Sequence, residues 1–195
     1  MIEINNILDV EKYIADVDVV LFDLDDTLYS EKDYVRSGYM AAAPERFEEL
    51  WSAFLAGKQA FDVVIPQQKE EALKVYRMHI PTIRLYNGVC EMINRIKQNK
   101  RIGIITDGRP EGQRAKLQAL GLMDIPFTIT DELGGIEFRK PCKKAFEIMQ
   151  KKFDVPFSKM VYVGDNIKKD FIAPEHLGMQ TIWFRNRDGL KYGEV

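Results

Sequence analysis

The chain is poor in the residues that most often build zinc centres and disulfide frameworks. Its 195 residues include two cysteines and two histidines, and Cys90 and Cys142 are not spaced as zinc ligands are. The start of the chain has no charged-then-apolar stretch of the kind that leads secreted proteins. We therefore expect reduced thiols and a cytoplasmic protein.

An excess of charge of one sign and long apolar runs are also missing. The chain has 28 basic and 30 acidic residues, so its net charge of −2 predicts no basic surface for nucleic acid. No apolar run approaches the roughly 20 residues that a membrane span needs. We expect neither a nucleic-acid nor a membrane partner, and the composition leaves the oligomeric state open.

Short β-branched runs separated by helical patterns are frequent. Continuous apolar runs such as 102–105 are typical of parallel strands buried on both faces, which requires helices above and below the sheet. The pattern predicts an α/β fold with a doubly wound parallel sheet. The predicted strands are 19–24, 102–106, 127–130, 160–165 and 181–184, and the predicted helices beside them are 88–99, 111–120, 143–153 and 168–177.

The first two predicted strands are separated by about 80 residues, far more than the dozen or so that a minimal crossover needs. Apolar residues recur at helical spacing over 40–55 and again over 67–79, and Ser30 and Asp33 have the spacing of a capping box. We therefore predict a helical insertion over 29–85, with 1–28 and 86–195 forming the core.

Three acids follow the first predicted strand, in the stretch VVLFDLDDTLY at 19–29. Asp23, Asp25 and Asp26 would repel one another without a positive partner. Because carboxylate oxygens suit a hard divalent cation, we predict Mg²⁺ among them. Asp23 is then placed to attack phosphorus and Asp25 to act as general acid and base. Asp26 is expected to face solvent or cap the turn.

Other polar residues fall where later predicted strands end, which is the edge of a doubly wound sheet at which ligands bind. Thr106 and Lys140 are the types of residue that hold phosphoryl oxygens and offset charge in phosphoryl transfer. Acids, a hydroxyl and an amine are thus expected at one rim. Besides the acids of the first strand, these residues are Thr106, Asp107, Gly108, Lys140, Gly164, Asp165, Asn166 and Asp170.

Four motifs in this order resemble those of the haloacid dehalogenase-like superfamily. They are DLDDT at 23–27, the apolar strand ending at Thr106, Lys140 followed by proline, and GDNIKKD at 164–170. The resemblance implies a Rossmann-like parallel sheet core with an inserted small helical cap domain of the family's first cap class. Such a cap would close over the substrate and exclude water.

The resemblance also implies a set of ligands and contacts. Mg²⁺ would be held by the side chains of Asp23 and Asp165 and by the main-chain carbonyl of Asp25, with Asp170 and Asn166 around them. The residues expected to contact the substrate phosphate are Thr106, Asp107, Gly108 and Lys140.

The second aspartate of the first motif favours one activity within the superfamily. Members that cleave carbon–halogen bonds lack it, whereas phosphatases keep it, and Asp25 is present here. The run TDGRPEGQRAKLQALGL at 106–122 resembles sugar-phosphate phosphatases and nucleotidases, in which a Gly-containing loop and a nearby Gln and Lys follow the threonine. Asp107 departs from the Asn often found there. The resemblance therefore implies a phosphatase acting on a small-molecule phosphate monoester.

Three alternatives remain open from the sequence. A phosphomutase would form the same aspartyl-phosphate and return the group to a sugar. A signalling receiver would keep the phosphate as a switch, although the insertion over 29–85 exceeds a simple receiver. A non-catalytic binding protein ranks last. The sequence also does not decide whether Arg36 or Tyr39 in the insertion contacts substrate.

Overall fold

A computed structural model describes residues 1–190, and its described part contains a parallel sheet of six strands. The order across the sheet is β1-β6-β5-β2-β3-β4, and each adjacent pair is parallel. This confirms the predicted α/β, Rossmann-like fold. The strands are β1 (Ile2–Ile4), β2 (Val19–Phe22), β3 (Arg101–Thr106), β4 (Phe127–Ile129), β5 (Met160–Gly164) and β6 (Gln180–Phe184).

Residues 29–85 form four helices with an apolar cluster of their own. Leu50 is completely buried in this cluster, and Tyr39 packs its ring against those of Phe61 and Tyr76. The cluster is separate from the two that cover the sheet. The helices are α1 (Glu31–Ala42), α2 (Phe47–Leu55), α3 (Ala60–Val64) and α4 (Lys69–Met78).

Four further helices lie beside the sheet, and the core occupies both of its faces. Val20 and Phe22 of β2 point into one apolar cluster, and Val19 and Leu21 point into the other. Because neighbouring residues of a strand alternate between faces, this buries all four residues of β2. The helices are α5 (Val89–Lys97), α6 (Pro110–Ala119), α7 (Lys144–Phe153) and α8 (Ile172–His176).

Some details of the sequence interpretation are wrong. The edge strand β1 was not expected, since three residues are too few to show a period. The helical face assigned to 40–55 is divided between α1 and α2 at Pro44, where the proline starts a short 3₁₀ turn. The side chain of Ser30 makes no capping hydrogen bond. Helix α8 begins at Ile172 instead of near 168.

Cys90 and Cys142 are both free. Within residues 1–190, no helix combines the length and the apolar character that crossing a bilayer requires.

A glycine in β3 lets α7 pack closely on the sheet. A Cβ added at Gly103 would lie 2.8 Å from Leu21 Cδ2 and closer still to the methyl group of Met149. Such approaches are shorter than real Cβ contacts. The packing of this face therefore depends on the missing side chain.

We predict that Gly103→Ala lowers the free energy of unfolding by about 1–3 kcal/mol, because it overpacks a buried face. In a chain of this size this corresponds to a fall in Tm of about 2–4 °C per kcal/mol in thermal unfolding. Gly112→Ala is the control, since its Cβ would have only Tyr34 Oη nearby, at 3.5 Å, and alanine favours helix α6. An unchanged Tm for Gly103→Ala would contradict the packing argument.

Candidate active site

A buried lysine joins two acids at the carboxyl end of the central strands. Asp23 directly follows β2, and its N–H donates to Val163 O of β5 at 2.8 Å. Lys140 Nζ lies 2.5 Å from Asp23 Oδ1 and 2.9 Å from Asp170 Oδ1, and it donates to Tyr162 Oη at 2.9 Å. Although burial disfavours the ammonium, the charges of Asp170 and Asp23 hold the pKa of Lys140 well above its usual value.

Three carboxylates converge beside this lysine. Asp23, Asp165 and Asp170 each place one carboxylate oxygen within 4.8 Å of those of the other two. Burial, followed by the charges of neighbouring acids, raises the pKa of Asp165 to about 9. Burial also raises the pKa of Asp23 to about 7, against the opposing charge of Lys140. The three carboxylates, if all ionised, would carry more negative charge than Lys140 offsets, and the raised pKa values show that the metal-free site favours protonation instead.

These residues fit a divalent cation. All three donors are carboxylate oxygens, the ligands that Mg²⁺ prefers, and a cation among them would favour the ionised forms that burial and mutual repulsion now disfavour. The structure thus brings together four of the predicted residues, since Lys140 contacts two of these acids directly.

The turn after β5 fixes Asp170. Asn166 N donates to Asp170 Oδ2 at 2.9 Å, and a Cβ at Gly164 would lie 2.5 Å from the same oxygen. Glycine at 164 therefore leaves the space that Asp170 fills. The side chain of Asn166 accepts from Lys168 N at 3.1 Å, within the same turn.

Asp25 belongs to a second, neighbouring polar cluster. Lys116 Nζ lies 2.7 Å from Asp25 Oδ1, Gln113 Nε2 donates to Oδ2 at 2.9 Å, and Tyr29 Oη donates to Oδ1. Gln113 also donates to Thr106 Oγ1, which is fully buried at the end of β3. Although burial opposes ionisation, the charge of Lys116 and these hydrogen bonds keep the pKa of Asp25 below its usual value.

No role for Gln113, Lys116 or Tyr29 follows from the sequence alone. The run after Thr106 contains a Gln and a Lys, but helical spacing does not show that these side chains, Gln113 and Lys116, both contact Asp25. Lys116 is only 5% exposed, and burial of a lysine is uncommon without a partner.

The carboxylate of Asp107 forms two hydrogen bonds and an ion pair within the protein. Oδ1 accepts from Thr130 Oγ1 at 3.0 Å and from the N–H of Lys140 at 3.1 Å, and Oδ2 lies 2.8 Å from Lys169 Nζ. Burial opposes ionisation, but the charges of Lys140 and Lys169 lower the pKa of Asp107. An ionised carboxylate repels phosphate, which counts against the predicted phosphate contact by the side chain of Asp107. The contact predicted for Gly108 stays a prediction, and its φ of +135° suits glycine.

Asp26 caps the turn and does not face solvent. It is 2% exposed, and its carboxylate accepts from the N–H groups of Glu31 and Leu190 at 2.9 and 2.7 Å. The expected cap of α1 is therefore supplied by Asp26 and not by Ser30. This arrangement agrees with the absence of a catalytic role for Asp26 in the sequence interpretation.

A cavity of about 390 Å³ lies between helix α4 and the rim of the sheet. It reaches the rim on the side of Asp25 and Lys116, whereas Asp23 does not line it. A second cavity of about 570 Å³ continues into the helical insertion and includes Tyr39. Arg36 is engaged elsewhere, with its guanidinium 5.2 Å from the ring centre of Trp51. Both cavities are lined by Tyr76, Arg77 and Arg109.

Comparison with known proteins identifies the family. The model of the haloacid dehalogenase-like hydrolases matches residues 17–178. The chain belongs to the haloacid dehalogenase-like hydrolases. The resemblance seen in the four motifs is thereby confirmed.

Individual relatives agree with this family. The glyceraldehyde 3-phosphate phosphatase of Pyrococcus abyssi is 25% identical over an alignment of 198 residues, gaps included. The alignment covers 87% of this chain and 82% of that protein. A subfamily IA hydrolase of Geobacter sulfurreducens has the same fold, with a TM-score of 0.67, 16% identity and 86% of each chain covered. The hydrolase YfnB of Bacillus subtilis, solved with bound magnesium, gives a TM-score of 0.64 at 17% identity, again over 86% of each chain. The family and the match to the Pyrococcus abyssi enzyme indicate that the chain is a phosphatase.

We predict that Lys140→Met destabilises the metal-free protein by about 3–5 kcal/mol, because it leaves buried carboxylates without their cation. Chemical unfolding in the presence of EDTA measures this. Lys143→Met is the matched control, since Lys143 is exposed and pairs with Glu147 at 3.2 Å on the surface of α7. It should cost less than about 1 kcal/mol. Equal effects of the two substitutions would refute a special electrostatic role for Lys140.

Proposed function

We propose that this phosphatase is Mg²⁺-dependent and hydrolyses a small-molecule phosphate monoester through an aspartyl-phosphate on Asp23. The observation that supports this most directly is the position of Asp23, which is held by Lys140 at 2.5 Å inside a cluster of three carboxylates. Asp25 lies two residues further along the chain, in a different electrostatic environment.

The proposed ligands of the metal are the side chains of Asp23 and Asp165 and the main-chain carbonyl of Asp25, with Asp170 beside them. When bound, Mg²⁺ would neutralise part of the acidic cluster and draw negative charge from the phosphoryl oxygens. Magnesium in YfnB is consistent with this choice.

Asp23 is the proposed nucleophile. Its carboxylate oxygen attacks phosphorus, the bond from phosphorus to the ester oxygen breaks, and the departing oxygen takes a proton from Asp25. Lys140 orients Asp23 and offsets charge on the phosphoryl oxygens, and the hydroxyl of Thr106 donates to one of them.

Asp25 then acts as a base in the second half of the reaction. It accepts a proton from the water that attacks the aspartyl-phosphate, and this releases phosphate and restores Asp23. In the free protein, Lys116 favours the ionised form of Asp25. A phosphate dianion bound nearby is a like charge and favours the protonated form, so binding of substrate prepares the acid.

The helical segment 29–85 is the proposed cap over a core formed by 1–28 and 86–195. The cavity of about 390 Å³ beneath α4 has the size of a site for a small metabolite. Among residues 1–190, the side chains of Arg77 and Arg109 form no ion pair or hydrogen bond, which leaves two guanidinium groups available to a polar substrate. Glyceraldehyde 3-phosphate, the substrate named for the relative of Pyrococcus abyssi, is the first compound to test.

We predict that Asp23→Asn lowers turnover of glyceraldehyde 3-phosphate and of p-nitrophenyl phosphate by at least about 10³-fold, because the amide is not a nucleophile. Release of inorganic phosphate is the measurement, and circular dichroism checks the fold. Asp124→Asn is the control, since Asp124 forms an exposed pair with Lys97. Wild-type turnover by Asp23→Asn would exclude the mechanism. Formation of an isomeric phosphate from a hexose 1-phosphate would instead indicate a mutase.

We predict that the stabilisation by Mg²⁺ increases with pH. Burial raises the pKa of Asp23 from an unfolded value near 3.8 to about 7 and that of Asp165 to about 9. The folded, metal-free protein therefore binds protons that the unfolded chain has lost, and its stability from these groups falls as the pH rises from about 4 to about 9. Mg²⁺ must displace the same protons, so it binds more tightly at high pH.

Thermal unfolding with excess Mg²⁺ or with EDTA tests this at pH 6 and pH 8.5. The increase in Tm caused by Mg²⁺ should be larger at pH 8.5. Asp165→Asn should reduce the increase at both pH values, whereas Asp124→Asn should leave it unchanged. An increase that is equal at the two pH values would contradict the proposed ligands.

A further inference from the structure

Helix α6 presents two buried polar side chains to Asp25. Gln113 and Lys116 are three residues apart and thus lie on one face of the helix. They are 3% and 5% exposed. A lysine buried to this degree requires a partner.

The hydrogen bonds to Asp25 leave one position open. A carboxylate has about four acceptor positions, two on each oxygen. Oδ1 accepts from Lys116 Nζ and from Tyr29 Oη, so both of its positions are used. Oδ2 accepts from Gln113 Nε2. The remaining acceptor position therefore belongs to Oδ2.

The two side chains of α6 are themselves fixed. Gln113 Nε2 bridges Asp25 and Thr106, the residue that ends β3. Lys116 Nζ lies 4.3 Å from the centre of the Tyr34 ring, a distance at which the cation is attracted to the ring face. The orientation of Asp25 is thus coupled to β3 and to α1.

We propose that Gln113 and Lys116 are positioning residues that fix the carboxylate of Asp25, so that Oδ2 is the atom that transfers the proton. In the first half of the reaction, Oδ2 gives its proton to the ester oxygen as the bond from phosphorus to that oxygen breaks. In the second half, Oδ2 takes a proton from the attacking water, so Asp25 ends the cycle as it began. This inference depends on the proposed phosphatase mechanism.

The test compares two substrates of similar size that differ in their need for a proton. The anion of p-nitrophenol is stable as it leaves, whereas the alkoxide that leaves benzyl phosphate requires protonation. The ratio kcat/KM includes the steps up to the first irreversible one, here cleavage of the ester bond, and excludes later hydrolysis of the aspartyl-phosphate. It therefore isolates the step in which Asp25 acts as an acid.

We expect Lys116→Met and Gln113→Leu each to lower kcat/KM for benzyl phosphate by about 10²-fold, since small misplacements of a catalytic group have effects of this order. The value for p-nitrophenyl phosphate should fall by less than about threefold, because that leaving group needs no acid. Lys116→Arg keeps the cation and should retain most of the activity toward benzyl phosphate. Asp25→Asn should give the same selective loss as Lys116→Met.

Arg114→Met is the matched control, since Arg114 lies on α6 but pairs with Glu132 at the surface. It should leave both values unchanged. An equal loss with the two substrates would overturn the inference, because it would indicate binding of the phosphoryl group or a general structural defect. No loss with either substrate would overturn it as well. If Lys116→Met does not fold, Gln113→Leu and Lys116→Arg decide the question.

Failure of this inference is distinguishable from failure of the proposed function. If Asp23→Asn abolishes turnover but Lys116→Met shows no selectivity between the substrates, the phosphatase mechanism stands and the positioning role is wrong. If Asp23→Asn retains full activity, the mechanism itself is wrong.

Discussion

The ammonium of Lys140 is the charge on which the candidate site depends. It lies between Asp23 and Asp170, and all three residues are buried. Without this cation, the two carboxylates would meet in a buried environment where like charges repel strongly. The lysine therefore makes it possible for the fold to keep acids at the end of its central strand.

The order of the strands separates the two aspartates of the first motif into different environments. Asp23 follows β2 on the side of β5, among Asp165 and Asp170, and burial raises its pKa to about 7. Asp25 lies against Gln113 and Lys116 of α6, whose contacts lower its pKa. Two residues of the same type thus acquire opposite shifts in the metal-free protein, because their neighbours differ in charge.

A second lysine, Lys169, offsets the negative charge of Asp107 in the loop after β3. Asp107 adds a negative charge close to the predicted position of a phosphate, and Lys169 Nζ pairs with it at 2.8 Å. The rim therefore contains three buried or half-buried lysines, each paired with an acid, namely Lys116, Lys140 and Lys169.

The sequence by itself determined the class of fold and most of the residues at the rim. Runs such as 102–105 have the continuous apolar character of buried parallel strands, and the acids, Thr106 and Lys140 follow such runs or precede a predicted helix. Strand β1 and the break in the helix at Pro44 are not predicted from the sequence, because short elements contain too few residues to show a period.

Only the tertiary structure decided which polar groups meet. Lys116 reaches Asp25 across 91 positions of the chain, and Lys140 reaches Asp23 across 117. Local patterns depend on neighbours within a few residues, whereas these pairs depend on how β3, α6 and the loop before α7 pack around β2. The candidate site residues can therefore be named from the sequence, but their partners, and with them their protonation, follow from the packing.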